Sequence, residues 1–124
     1  MELTINNFWS FITYSFYPII ILLILLSGLK SIIGLICMLA IIYYLKVITN
    51  KERPNKKDKL SFPSGHTATV WYIAGIYNWN PIILLWAISV SYSRIVLSYH
   101  DLIDVFAGFI IGTLSSNIIS GKIF

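Results

Sequence analysis

From Phe8 to Leu45 the chain carries a single charged residue, Lys30. Two apolar runs flank it, about Phe8–Leu29 and about Ile32–Ile48. Each approaches the ~20 residues a helix needs to cross a bilayer. Three more follow, about Pro63–Asn78, Pro81–Leu97 and Leu102–Ile119. A soluble domain of 124 residues cannot hide this much apolar sequence: charged residues are 11% of the chain, against roughly 25% in soluble domains. The expected fold is all-α, a polytopic transmembrane helical bundle of about five spans, forming one membrane-embedded domain over residues 1–124.

Local chemistry refines that outline. The first run opens on Phe8, Trp9, Phe11, Tyr14, Phe16 and Tyr17, which reads as an interfacial aromatic belt, and membrane helices tolerate a proline such as Pro18. Its approach, Met-Glu-Leu-Thr-Ile-Asn-Asn, lacks the basic region of a secretory signal, so the first span is expected to stay in the protein. Gly28, Lys30 and Ser31 read as a short turn. The third run offers roughly 15 residues, ~22 Å of helix, which is short for a bilayer. Asn78-Trp79-Asn80-Pro81 has turn chemistry, with Pro81 suited to the first helical position. Gly108 and Gly112 have the spacing that lets helices pack closely. Cys37, the one cysteine, allows no intrachain disulfide and no cysteine-cluster metal site.

The net charge of +4 is concentrated: six of the nine basic residues fall between Lys46 and Lys59. No aromatic residue is interleaved there to stack on bases, so nucleic acid is not an expected partner; lipid head groups or a phosphate ligand are. Lys51, Lys56, Lys57 and Lys59 read as solvated loop lysines. Three polar clusters interrupt the apolar sequence: Lys46 to Pro54, Pro63-Ser64-Gly65-His66, and Ser93 to Asp104. A charge within the hydrocarbon costs ~2.5–3.5 kcal/mol on insertion scales, so Arg94, His100, Asp101 and Asp104 need partners or a ligand. Counting crossings places all three clusters on one face of the membrane. The heights agree: His66 precedes the Asn80 turn, and Arg94 follows it, by ~20 Å of helix each. A membrane enzyme that handles phosphate is the expectation.

Lys46, six residues, Arg53-Pro54; Pro63-Ser64-Gly65-His66; and Ser93-Arg94, five residues, His100, three residues, Asp104: together these resemble the three-part signature of the type 2 phosphatidic acid phosphatase family. That superfamily also includes polyprenyl-diphosphate phosphatases, glucose-6-phosphatase and the vanadium haloperoxidases. The match spans Lys46–Asp104. Membrane members typically have six spans against the five counted here, so the usual first helix is expected to be absent.

The resemblance implies a role for each position. His100 is similar to the family nucleophile, which attacks phosphorus to form a phosphohistidine; its other nitrogen needs an acceptor, which Asp104, four residues on, could supply. His66 resembles the general acid that protonates the departing oxygen. Ser64 and Gly65 precede it at a helix N-terminus, where amides and dipole favour an anion. Lys46, Arg53 and Arg94 carry over as a cationic clamp on the non-bridging oxygens, although Lys46 taken alone could simply snorkel to the interface. Asp101 reads as the cap of the fifth span. No carboxylate cluster is left to hold magnesium, so a metal-independent reaction without a cofactor is expected.

The expected function is hydrolysis of a phosphate monoester or diphosphate on a lipid. The alternatives are a catalytically idle protein that binds lipid phosphate, and a haloperoxidase-like relative, whose known members are larger and lack these spans. For orientation, the resemblance places the catalytic face outside the cytoplasm or in a lumen. The positive-inside rule points the other way. Because at least two of the six clustered cations belong to the site, the family's orientation is the expectation.

Overall fold

The computed structural model describes residues 5–51, 61–97 and 100–121, with side chains from residue 9 onward. Within them every regular element is a helix: α1 (Ile5–Ser27), α2 (Leu29–Thr49), α3 (Gly65–Ile76), α4 (Pro81–Val96) and α5 (Leu102–Ser120). These are the five expected spans. Segments of α1, α2 and α5 are long and apolar enough to cross a membrane, and α4 is a shorter apolar helix.

The bundle is apolar outside, and within it a hydrophobic core that includes Met38, Ile42, Val70 and Ile73 adjoins a set of buried polar groups. Leu26 and Leu29 are each 71% exposed and Ile82 78%, a surface that suits hydrocarbon rather than water. The buried polar groups include Thr13, Ser31, Ser61, Ser64, Thr67, Ser93, Arg94, His100 and Asp104. Two connections show how the sequence makes the turns. Gly28 alone breaks α1 from α2, at φ 98°, a conformation that a Cβ disfavours; Lys30 and Ser31, expected in that turn, already belong to α2. At the far end of α3, Asn78 and Trp79 adopt left-handed backbone. Asn80 then caps α4 by accepting from the amide of Ile82 at 2.9 Å, with Pro81 in the first turn as expected.

α3 is the axis of the fold. It has only 12 residues, ~18 Å, and is buried from Thr67 to Val70 and from Tyr72 to Gly75. Its closest neighbour is α5. A Cβ on Gly108 would lie 2.5 Å from the carbonyl oxygen of Ser64, and one on Gly112 only 2.2 Å from that of Ala68. Side chains at either position would push the helices apart, so the two glycines set the approach. Hydroxyl groups fix α3 lengthwise: Tyr72 donates to the Ser31 carbonyl at 2.7 Å and Tyr77 to that of Leu23 at 2.6 Å. Its N-terminus packs beside the C-terminal half of α2, with Ile42 Cγ2 and Lys46 Cε each 4.0 Å from where a Gly65 Cβ would stand.

Candidate active site

The start of α3 forms one wall of the site. Ser64 is the N-cap, accepting from the Thr67 amide at 3.2 Å and donating to the Thr67 hydroxyl at 2.9 Å. Its hydroxyl is thus spent on the helix itself. The first-turn amides, at Gly65 and His66, point out of the helix end, and the helix dipole makes this end favourable to an anion. Gly65 faces open space: a Cβ there would meet nothing nearer than Ile42 Cγ2 and Lys46 Cε, both at 4.0 Å. Lys46, in the last turn of α2, therefore brings its side chain to the mouth of α3. His66 is held between two aromatic rings of α1, with Phe16 at 4.2 Å and Tyr17 at 5.6 Å between centroids. The aromatic start of α1 is thus only partly a belt. Phe11 and Tyr14 are exposed, but Phe16 is buried against the site.

α4 and α5 supply the opposite wall. Arg94 sits in the last turn of α4 and is 6% exposed. The preceding Ser93 donates to the Val90 carbonyl at 2.6 Å, so it receives its second bond, at 2.5 Å, from Thr13 of α1. The His100 amide donates to the Arg94 carbonyl at 3.2 Å. His100 is 2% exposed and lies before α5, not on it.

That placement changes its expected pairing. The Nδ1–H of His100 donates to the backbone carbonyl of Ser61 at 2.7 Å. The nearest Asp104 oxygen is 3.7 Å away, beyond a hydrogen bond. A carbonyl can only accept, so Nδ1 carries the proton and the lone pair of the neutral ring belongs to Nε2. Asp104 is fully buried and already takes three donors: the Ser61 hydroxyl, the Asp101 amide at 3.1 Å and Lys51 Nζ at 2.9 Å. Its own backbone carbonyl accepts from the Ser64 amide at 3.0 Å, tying α5 to the start of α3. Asp101 caps α5 as expected, and with Asp104 it completes a reciprocal capping box.

Lys51 is not a solvated loop lysine. Its Nζ bridges Asp101 at 2.6 Å and Asp104 at 2.9 Å. Burial pulls its ammonium down, but the hydrogen bonds and charges of Asp101 and Asp104 outweigh that and leave it above its ordinary value. Burial pushes the Asp101 carboxyl up; Lys51 and the Asp104 amide more than reverse this and hold it low. A raised lysine keeps its contribution until the pH climbs through its folded pKa, and a lowered carboxyl until the pH falls through its own. Both groups are therefore charged throughout the neutral range.

The structure thus brings together Lys46, Ser64, Gly65, His66, Arg94, His100 and Asp104 at one end of the bundle. Arg53 lies outside the described residues. Lys51 and Ser61 are the site residues that sequence reasoning missed. Among the described residues, no three His, Cys, Asp or Glu side chains group as a metal centre would require.

The fold is similar to one already solved. The crystal structure of Aquifex aeolicus LpxE superposes with a TM-score of 0.84, covering 98% of this chain and 88% of that one at 23% identity. The model of the PAP2 superfamily matches residues 20–123, a span that includes every site residue named above. The chain belongs to the PAP2 superfamily.

Proposed function

We propose that the protein is an integral membrane phosphatase that hydrolyses a phosphate monoester or diphosphate on a lipid through a phosphohistidine at His100. The observation that carries the reading is the orientation of His100. With Nδ1 bound to the Ser61 carbonyl, Nε2 holds the lone pair, at the end of the bundle where Arg94, Lys46 and the first amides of α3 gather. The attack forms an N–P bond at Nε2 while the bond from phosphorus to the lipid oxygen breaks. Negative charge on the non-bridging oxygens is held by Arg94, Lys46 and the Gly65 amide. His66 gives the departing oxygen its proton and then, by microscopic reversibility, accepts one from the water that releases phosphate. Arg53 joins the cationic clamp in this reading. Charge neutralisation by cations and amides, with Asp101 and Asp104 committed to Lys51, makes the proposed chemistry metal-independent.

A lipid substrate is favoured by what adjoins the site. An apolar cavity of about 330 Å³ is lined by Trp71 of α3, Ile88 of α4, and Leu102, Val105, Phe106 and Phe109 of α5. Its polar lining group, Ser91, is occupied by Trp71 and the Ala87 carbonyl. Leu102 is two residues from His100, and Phe109 lies ~10 Å further along α5. The cavity therefore runs along α5 from the end nearest His100 in the chain and opens on the apolar surface, where Leu102 and Phe106 are exposed. Its apolar lining supports a lipid substrate, whose hydrocarbon chain it would hold in this proposal. The catalytic face lies outside the cytoplasm or in a lumen in this proposal, and labelling of a cysteine placed at Lys57 from each side of sealed vesicles tests it. Purified protein in mixed micelles, assayed over phosphatidate-like and polyprenyl diphosphate lipids, should release inorganic phosphate. Binding of these lipids without release would identify a lipid-phosphate-binding protein instead.

A further inference from the structure

Lys51 and Ser61 close a ring that no part of the expected signature contains. The Ser61 amide donates to the Lys51 carbonyl at 3.0 Å, fastening the two ends of the intervening segment. The Ser61 hydroxyl donates to Asp104, and Asp104 takes Lys51 Nζ at 2.9 Å, which returns the path to its origin. Ser61 is wholly buried, and one-third of the Lys51 side chain is exposed. From this ring the Ser61 carbonyl reaches out to His100.

The arrangement resolves a conflict in the chemistry. An attacking imidazole must be unprotonated, yet a carboxylate close by favours the imidazolium. Asp104 lies 3.7 Å from His100 Nδ1, near enough to have that effect if its charge stood alone. The ammonium of Lys51 sits on it and on Asp101. A neutral carbonyl, rather than the carboxylate, then orients the ring. We propose that Lys51 and Ser61 are positioning residues for His100: Lys51 balances the charges of Asp101 and Asp104, while Ser61 holds the ring by its carbonyl and Asp104 by its hydroxyl. The proposal rests on His100 being the nucleophile. Among the described residues, the charged and titratable groups at this end of the bundle are Lys46 and Lys51 at the end of α2, His66 on α3, Arg94 on α4, and Asp101 and Asp104 on α5.

The test follows His100 itself. With histidine labelled by ¹³C and ¹⁵N in detergent micelles, and the two signals assigned through His66→Gln, the imidazole is titrated by NMR in parallel with kcat/KM. Lys51→Gln should raise the His100 titration by about one pH unit, the low end for an opposite charge left at this range. The acid limb of kcat/KM should move with it, so that a roughly tenfold loss near the limb vanishes at alkaline pH. Lys51→Arg should restore both profiles. Ser61→Ala should shift them the same way as Lys51→Gln, with Ser61→Thr restoring them. Asp101→Asn keeps a competent cap but leaves Lys51 to Asp104 alone, so it should lower the titration. An unmoved His100 titration in folded Lys51→Gln, a rise in Asp101→Asn, or a loss of rate equal at every pH would overturn the proposal. If the wild type hydrolyses no lipid phosphate while the titrations move as stated, the phosphatase reading fails and the positioning roles stand. Should Lys51→Gln not fold, the direction of the Asp101→Asn shift decides alone.

Discussion

Two glycines border the same helix start, and the space before each demands opposite outcomes for one added methyl. At Gly65 an alanine Cβ meets nothing nearer than 4.0 Å, and removing a helical glycine gains up to ~0.4–1 kcal/mol through the unfolded chain. Gly65→Ala should therefore fold at least as stably as the wild type. In the proposed site, however, its methyl stands where phosphate must approach the α3 amides. Displacing the reacting group by about 1 Å can cost ~10²-fold in rate. At Gly108 the Cβ would lie 2.5 Å from the Ser64 carbonyl oxygen, whereas a carbon needs ~3.3 Å from an oxygen. α5 must then retreat by roughly 0.8 Å, stretching the Ser64–Asp104 backbone bond from 3.0 Å past a useful length. Losing that buried bond costs ~1–3 kcal/mol, and overpacking a similar ~1–3 kcal/mol, so Gly108→Ala should lose roughly 2–6 kcal/mol of stability.

Both variants are expected to lose activity, which is why the assay needs two readouts. Thermal unfolding in detergent should lower the midpoint only for Gly108→Ala, and vanadate binding to the still-folded protein should fall only for Gly65→Ala. A Gly65→Ala protein that turns over at the wild-type rate would show that phosphate does not sit against the start of α3. Equal destabilisation by the two would show that the space before Gly65 is not open.

His100→Ala should abolish the phosphoenzyme trapped from radiolabelled substrate. His66→Ala should lose ~10²–10⁴-fold on a lipid monoester, but far less in single-turnover phosphorylation by p-nitrophenyl phosphate, whose phenolate leaves without a proton; equal deficits on both substrates would remove His66 from the general-acid role. Activity should survive excess EDTA and be inhibited by vanadate, and Arg94→Lys should cost heavily because an ammonium cannot replace the guanidinium fork; loss with EDTA that magnesium restores would refute the metal-free chemistry. Ile88→Trp should raise KM for a long-chain lipid phosphate roughly tenfold, the low end for a misfit in a hydrophobic pocket, and leave a short-chain analogue unchanged; equal KM values for the two would empty the cavity of its proposed occupant.

The bundle was legible because hydrocarbon imposes a length and an apolarity that α1, α2 and α5 announce, with turn chemistry marking the two shorter helices between α2 and α5. The turns were nearly as plain: Asn80-Pro81 carries its own capping chemistry, and Gly28 was misjudged only in how few residues the break needs. The burial of Phe16 against His66 was hidden, since an aromatic cluster at a helix start looks the same whether its rings face head groups or a histidine. Lys51 was hidden for a related reason. In sequence it is one of several cations in a polar run, and nothing local distinguishes the lysine that finds two carboxylates from those that meet water.

The failure at Asp104 is the more instructive one. Spacing of four residues brings Asp104 to 3.7 Å from His100 Nδ1, but His100 precedes the helix, and the pair stays outside hydrogen-bond range. Asp101 takes the N-cap, which ends the helix one residue short of His100 and makes Asp104 the third helical residue. A carboxylate in that position turns back to the cap amide, as the 3.1 Å bond from Asp101 shows, and the same geometry presents its remaining lone pairs to Lys51 and Ser61. The signal was present in the sequence. An Asp three residues before another Asp at the opening of an apolar run is a capping pattern, and it competes with the histidine for the same oxygens. In this structure the cap, Lys51 and Ser61 take the carboxylate, and the histidine is oriented by the Ser61 carbonyl. Here that partner is the backbone two residues before the Pro63-Ser64-Gly65-His66 turn, on the segment that leads into α3, so the geometry of His100 depends on how that segment is pinned.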